Sequence, residues 1–275
     1  MSYTRILTVQ DISCVGQCSA TVALPILAAC GHEVCILPTA VLSTHTGGFT
    51  SPAFRDLTED LPGISSHWQR EGISFDAVCT GYLGSIRQIR IISDLLSTLV
   101  RPHGIRIVDP AMADNGKLYK GFDTAFVDAM KSLCTQADII LPNLTEACLL
   151  TGTPYREVYD ESFIHMLLNR LHEMGCRTVV LTGVGYTPGT TGVTVSRGTQ
   201  RTHYSHEKIA KGFSGTGDAF AAAFTGLVMR GKTPEDAASI SADFICECIR
   251  HTAADSAHWY GVKYAPALPR LISRL

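Results

Sequence analysis

An α/β fold with a central, mainly parallel sheet covered by helices on both faces is what the sequence predicts. Two patterns carry that expectation. Short β-branched runs alternate with helical periodicities along most of the chain, and each run ends on a polar or small residue. No internal repeat, low-complexity tract or linker divides the alternation, so residues 1–275 read as one domain.

The elements follow in order. "RILTV" reads as a first strand, and "SATVALPILAACG" as a helix stopped by glycine, in which Pro25 predicts a kink or a restart one turn late. "HEVCIL" is a second strand. The stretch "FRDLTEDLPGISSHWQREG" is mixed and helical. "DAVCTG" is again a strand, followed by the helix "SIRQIRIISDLLSTLV", whose Ile89, Ile92, Leu96 and Leu99 share a face. The cycle then repeats through "IRIVDP", "DTAFVDAMKSLC", "DIILPN", "TEACLLTG", "SFIHMLLNRLHEMG" and "TVVLTG".

Composition narrows the function. With 275 residues and 45% hydrophobic content the chain can bury a sizeable core, and its formal net charge of −2 gives no footprint for nucleic acid or an anionic membrane. The start "MSYTRILTVQD" lacks a basic and apolar signal pattern, and no apolar run reaches the ~18 residues of a membrane span, so a cytoplasmic protein with a small-molecule partner is expected. The ten cysteines lie scattered in apolar segments without a Cys-x-x-Cys pair, which reads as buried free thiols rather than disulfides or zinc.

Strand ends concentrate the polar residues: Asp11 after the first strand, Tyr82 after "AVCTG", Asp109 after "IRIV", Asn143 after "DIILP", and Thr182 with Gly183 after "TVVL". Open parallel sheets bind ligands outside the carboxyl ends of their strands, so these residues converge on one rim. Each alone is equally a turn former.

The stretch "GFSGTGDAFAAAF" adds an anion site. Gly215, Thr216 and Gly217 open a helix whose unpaired N–H groups and partial positive charge suit a transferring phosphoryl group. Asp218 beside them can take the proton of the attacking alcohol, or can simply cap the helix; the tetrad leaves both open. A P-loop is absent, and "GTGDAF" lacks the third glycine and the early position of a dinucleotide fingerprint, which excludes the common nicotinamide reading.

In order along the chain, "VQDISCVGQCS", "LSTHTGGF", "TGYLGS", "VDPAMAD", "LPNLTEA", "VVLTG" and "GFSGTGDAF" resemble the pyridoxal/pyridoxamine kinases, the vitamin B6 branch of the ribokinase-like superfamily, across nearly the whole sequence. The resemblance implies a three-layer αβα domain and ATP-dependent phosphorylation of the 5′-hydroxymethyl group of a B6 vitamer. It also implies Mg²⁺, often a monovalent cation such as K⁺, and commonly a homodimer. Carried over, Asp218 is the catalytic base and the Gly215, Thr216 and Gly217 amides form the anion hole. Asn143, Thr182, Gly183 and Phe213 fall on the ATP side, and Asp109 and Glu146 in the magnesium region. "NLTE" also fits a capping box with Asn143 as cap and Glu146 three residues on, a role compatible with holding metal through water. Asp11, Ser13, His45, Thr46 and Tyr82 match substrate-side positions, although a surface histidine, a turn threonine and a half-buried tyrosine are the plain alternatives. "GKLYKG" and "RGTQRTHYSHEKIAKG" resemble mobile flaps, or are solvated loops.

One departure bears on substrate. Asp11 followed by Ser13 is similar to the Asp-x-Ser of hydroxymethylpyrimidine kinases, whereas "HTGGF" looks more like the B6 branch. Three alternatives therefore accompany the B6 reading: a hydroxymethylpyrimidine kinase, a non-catalytic vitamin carrier or sensor, and a sugar kinase.

Overall fold

The computed structural model describes residues 3–209 and 212–275. Its strands are β1 (Arg5–Ser13), β2 (Glu33–Leu42), β3 (Phe54–Asp56), β4 (Phe75–Thr80), β5 (Val100–Val108), β6 (Ala113–Asp114), β7 (Lys117–Leu118), β8 (Ile139–Ile140), β9 (Thr178–Thr182), β10 (Thr190–Arg197) and β11 (Gln200–Glu207). The α-helices are α1 (Ala20–Ala29), α2 (Leu61–Arg70), α3 (Ile86–Thr98), α4 (Thr124–Cys134), α5 (Leu144–Leu150), α6 (Glu161–Glu173), α7 (Thr216–Met229), α8 (Pro234–Ala253) and α9 (Leu268–Ile272).

Nine strands form one sheet in the order β11-β10-β9-β8-β5-β4-β1-β2-β3. The six from β2 across to β9 run parallel, β3 at one edge and β10 near the other run against them, and edge strand β11 reverses again by pairing antiparallel with β10. Alternate strand residues supply two separate cores. Leu7, Val78, Val108, Ile140 and Val179 face one core with α2 to α6, and Ile6, Ala77, Ile107, Ile139 and Val180 face the other with α1, α7 and α8. The sheet thus reads as a buried middle layer, as the near-continuous apolar strands anticipate.

Three local expectations are corrected. Helix α1 runs unbroken through Pro25. Proline lacks the N–H that Thr21 O would accept four residues back, and the Tyr264 hydroxyl supplies the missing donor at 3.2 Å. Residues 54–56 are not helical but form edge strand β3 against β2. Half of the polar stretch 197–212 forms strand β11 rather than a loop, and Ala210 and Lys211 of that proposed flap lie outside the described residues. Its alternating exposure and charged side chains suit an edge strand, where a polar face discourages further pairing. "GKLYKG" contains β7, paired with β6 across Asn115 and Gly116, both at positive φ (49° and 76°) as a tight hairpin requires. Beyond Gly231 the chain adds α8, started by Thr233, whose hydroxyl accepts from Asp236 N at 3.1 Å, with Pro234 in its first turn.

Candidate active site

Because the six central strands are parallel, their carboxyl ends share one rim, and α7 begins there. Gly215 is the N-cap of α7 at φ 83°, a conformation that glycine alone adopts freely. A Cβ at that position would stand 2.2 Å from Gln17 O, so the glycine also admits the loop that follows β1. Among the described residues, none accepts a hydrogen bond from the Thr216 or Gly217 N–H. Gly217 has open space where a side chain would be.

Asp218 sits at the third helical position and does not cap α7. Its Oδ2 accepts instead from Ser19 N at 2.8 Å and from the Cys18 thiol at 3.2 Å, at the start of α1. Asp218 and Asp109 line the same small cleft, together with Gln10, Thr80, Ala221 and Ala222. Burial pushes the Asp109 carboxyl well above the usual range, and the neighbouring Glu146 and Asp218 charges push it further. Among the described residues no base pairs with these three carboxylates, and such a group calls for a cation or a proton.

Glu146 is 2% exposed and fully engaged. Its Oε2 accepts from Asn143 N at 2.9 Å, and Oε1 from Met112 N at 3.0 Å and Ala113 N at 3.4 Å. Asn143 Oδ1 in turn accepts from Glu146 N at 3.0 Å, completing the capping box, and its Nδ2 donates to Ala113 O at 2.8 Å. Burial raises Glu146 against the pull of those three amides. The cap is therefore real, and it also anchors the β6–β7 hairpin to α5. Among the described residues no three His, Cys, Asp or Glu side chains gather as a metal-ligand set. A magnesium ion would lean on Asp109 and on phosphate oxygens, as this ion commonly does.

Asp11 is 4% exposed, at a bulge in β1, and its Oδ2 accepts from the Ser13 hydroxyl at 2.8 Å. Burial raises its pKa, and the Asp218 charge adds to that. Tyr82 stacks on Phe122 at 5.7 Å and 22°, and Phe122 on Phe126 at 3.7 Å and 7°, giving a ladder of flat apolar faces beside the cleft. Thr46 is exposed. His45 is not a surface residue: it is 4% exposed, and Gly47 N donates to its Nδ1 at 3.0 Å. That bond places the proton on Nε2, which donates to Tyr260 O at 2.9 Å. Neither ring nitrogen is left for a ligand, so His45 fixes its loop rather than offering a polar contact.

Thr182 and Asn143 form a parallel bridge across the ends of β8 and β9, and Gly183 turns away at φ 76° with nothing near its Cα side. Phe213 is 8% exposed and packs into the core under α7, so its side chain anchors the glycine loop from below. The sequence reading brings Asp218, Asp109 and the α7 amides together, but it misses Cys18, Ser19, Gln10 and Tyr119. Tyr119 is 40% exposed, its N–H donates to Met112 O at 2.8 Å, and partial burial with the charges of Glu146 and Asp109 raises its hydroxyl. Its only sequence signal is an aromatic in "GKLYKG".

The phosphomethylpyrimidine kinase family model matches residues 37–262. The pyridoxine/pyridoxal/pyridoxamine kinase of Bordetella avium is 28% identical, over 92% of this chain and 87% of its own length. The pyridoxal kinase of Lactobacillus plantarum is 33% identical with a TM-score of 0.91, over 99% of this chain and 98% of its own. A Bacteroides thetaiotaomicron protein assigned to the phosphomethylpyrimidine kinases, solved in a form with pyridoxal, is 36% identical with a TM-score of 0.93, over 98% and 96%. The order of the motifs, the glycine-capped helix, the paired cleft carboxylates and these likenesses agree: the chain belongs to the phosphomethylpyrimidine kinase family, in the vitamin B6 kinase branch of the ribokinase-like superfamily.

Proposed function

We infer that the protein transfers the γ-phosphoryl group of ATP to the 5′-hydroxymethyl group of a B6 vitamer, within one kinase domain. The carrying observation is that Asp218 lines a cleft with Asp109 at the N-terminus of α7, where the Thr216 and Gly217 amides have no described partner. Asp218 takes the hydroxyl proton as oxygen attacks phosphorus. The new O–P bond forms as the bridging bond to the β-phosphate breaks, and ADP leaves. The amides of Gly215, Thr216 and Gly217 hold the charge on the migrating group throughout.

Magnesium, when bound, neutralises phosphate charge. Asp109 would hold it, with Glu146 behind, because Asp109 lies beside the Glu146 and Asp218 charges where a cation would offset their repulsion. Thr182, Gly183 and Asn143 border the nucleotide side. Tyr82, backed by Phe122, offers the vitamin ring a flat surface, and Thr46 lies on an exposed loop. Potassium activation, a homodimer and a cytoplasmic location belong to the same reading; ten free cysteines suit a reducing compartment.

The experiment is ATP consumption by the purified chain with pyridoxal, pyridoxamine, pyridoxine, hydroxymethylpyrimidine and ribose. Turnover of B6 vitamers above the other two supports the reading, and no turnover on any of the five turns it into a carrier. A hydroxymethylpyrimidine activity has one feature in its favour, the buried Asp11 carboxyl beside Ser13. If Asp11 selects protonated or amine-bearing rings, Asp11→Ser shifts the ratio of pyridoxamine to pyridoxal turnover; an unchanged ratio removes that role.

A further inference from the structure

The loop joining β1 to α1 is unusually bent. Gly16, Gln17 and Ser19 all have positive φ (119°, 51° and 54°), and two of these are not glycine. Such residues stay in the left-handed region only where their surroundings hold them, and this type of strain gathers at functional sites. Two close backbone approaches hold them here. Gly16 O lies 1.8 Å from where a Cβ on Gly261 would be, and Gln17 O lies 2.2 Å from one on Gly215. Two glycines thus let the loop pack backbone to backbone against the site. The Thr21 hydroxyl donates to Cys18 O at 2.8 Å and fixes the turn from the other side.

The bend makes two donors converge on one oxygen. Ser19 N at 2.8 Å and Cys18 Sγ at 3.2 Å both donate to Oδ2 of Asp218, across 199 and 200 residues of sequence. Among the described residues no group donates to Oδ1. An aspartate carboxylate otherwise turns about its last side-chain bond with little preference. Two donors on one oxygen stop that rotation and leave the other oxygen for the substrate.

We propose that Cys18 is a positioning residue for phosphoryl transfer, its thiol acting with the Ser19 amide to lock Asp218 so that Oδ1 receives the substrate hydroxyl proton. The inference rests on Asp218 being the base. Burial, then the neighbouring Asp218 carboxylate, keep the thiol protonated, so it serves as a donor and not as a nucleophile.

The test is steady-state kinetics with pyridoxal and Mg-ATP on the full chain and on Cys18→Ala, Cys18→Val, Cys18→Ser and Asp218→Asn, each checked by thermal melting. Alanine and valine remove the donor in different volumes, so one packing defect cannot account for both. Both are expected to lower kcat about tenfold, the loss of one hydrogen bond to a charged group, with KM for pyridoxal and ATP within about twofold. Serine keeps a donor and is expected to restore kcat to within about threefold of the parent. Full kcat in a folded Ala or Val variant, a loss confined to KM, or a serine variant as slow as alanine overturns the proposal. Asp218→Asn separates the two failures: if it is inactive while Cys18→Ala is not, only the positioning role falls, and if it is active the base itself is wrong.

Discussion

Gly215 shows what a single atom decides at this site. At φ 83° an L side chain is strained by about 1–2 kcal/mol, and the added Cβ would also meet Gln17 O at 2.2 Å. Gly215→Ala is therefore expected to lower stability by at least ~1 kcal/mol and to cut turnover more than tenfold, because the β1–α1 loop must retreat and take Cys18 and Ser19 off Asp218. Thermal melting and kcat measured together check it; an alanine variant with parental values for both would show that the loop tolerates the shift. The glycine and Asp218 are legible in sequence because phosphate cradle and base are adjacent in the chain. Glu146 is legible as a cap for the same reason, since N-x-x-E is a local pattern. Cys18 and the commitment of His45 Nε2 are not, because their partners are 200 and 215 residues away. A local reading gives His45 a loop position but cannot see Tyr260.

Elements follow the same division. Parallel strands and amphipathic helices announce themselves by period, and α3 and α6 start at Ser85 and Asp160, whose side chains accept from the amides three residues on. The exceptions are elements whose stability comes from elsewhere. Helix α1 survives Pro25 through a hydroxyl outside the helix, so Tyr264→Phe leaves Thr21 O unpaired and is expected to cost about 1 kcal/mol, read as a lowered denaturant midpoint with unchanged slope. An unchanged midpoint would mean that the carbonyl finds another donor. Strand β11 is polar because it is an edge, and polarity disguised it as a loop. The β6–β7 hairpin is held at its base by Glu146 and Asn143. Next to it, Phe122 is sandwiched between Tyr82 and Phe126, so Phe122→Ala is expected to raise KM for pyridoxal by about threefold to tenfold through a loosened Tyr82, with KM for ATP little changed. Equal rises for both substrates would mean that the hairpin as a whole has moved.

Across the whole molecule, the sheet lies between the two cores, and buried polar contacts tie the layers on each side. His32, 4% exposed, is one such tie: its Nε2 donates to Gly226 O of α7 at 2.9 Å, while Nδ1 has no partner among the described residues. Burial lowers its pKa below the ordinary 6.5. The folded protein therefore resists a proton that the unfolded chain accepts, so stability is complete above the unfolded pKa and declines as pH falls below about 6.5. Urea midpoints between about pH 7.5 and 5 should fall more for the parent than for His32→Gln; parallel declines would place the acid sensitivity elsewhere.

The sheet brings the β1–α1 loop, the end of β5 and the start of α7 to one place, and that convergence is what the proposed chemistry requires. ADP release with pyridoxal as acceptor, measured for the parent chain and for Asp218→Asn alongside pyridoxal binding, tests it most directly. A drop of at least about 10²-fold in turnover with binding held within about threefold is the predicted result. An asparagine variant that turns over within about tenfold of the parent would show that the proton leaves by another route.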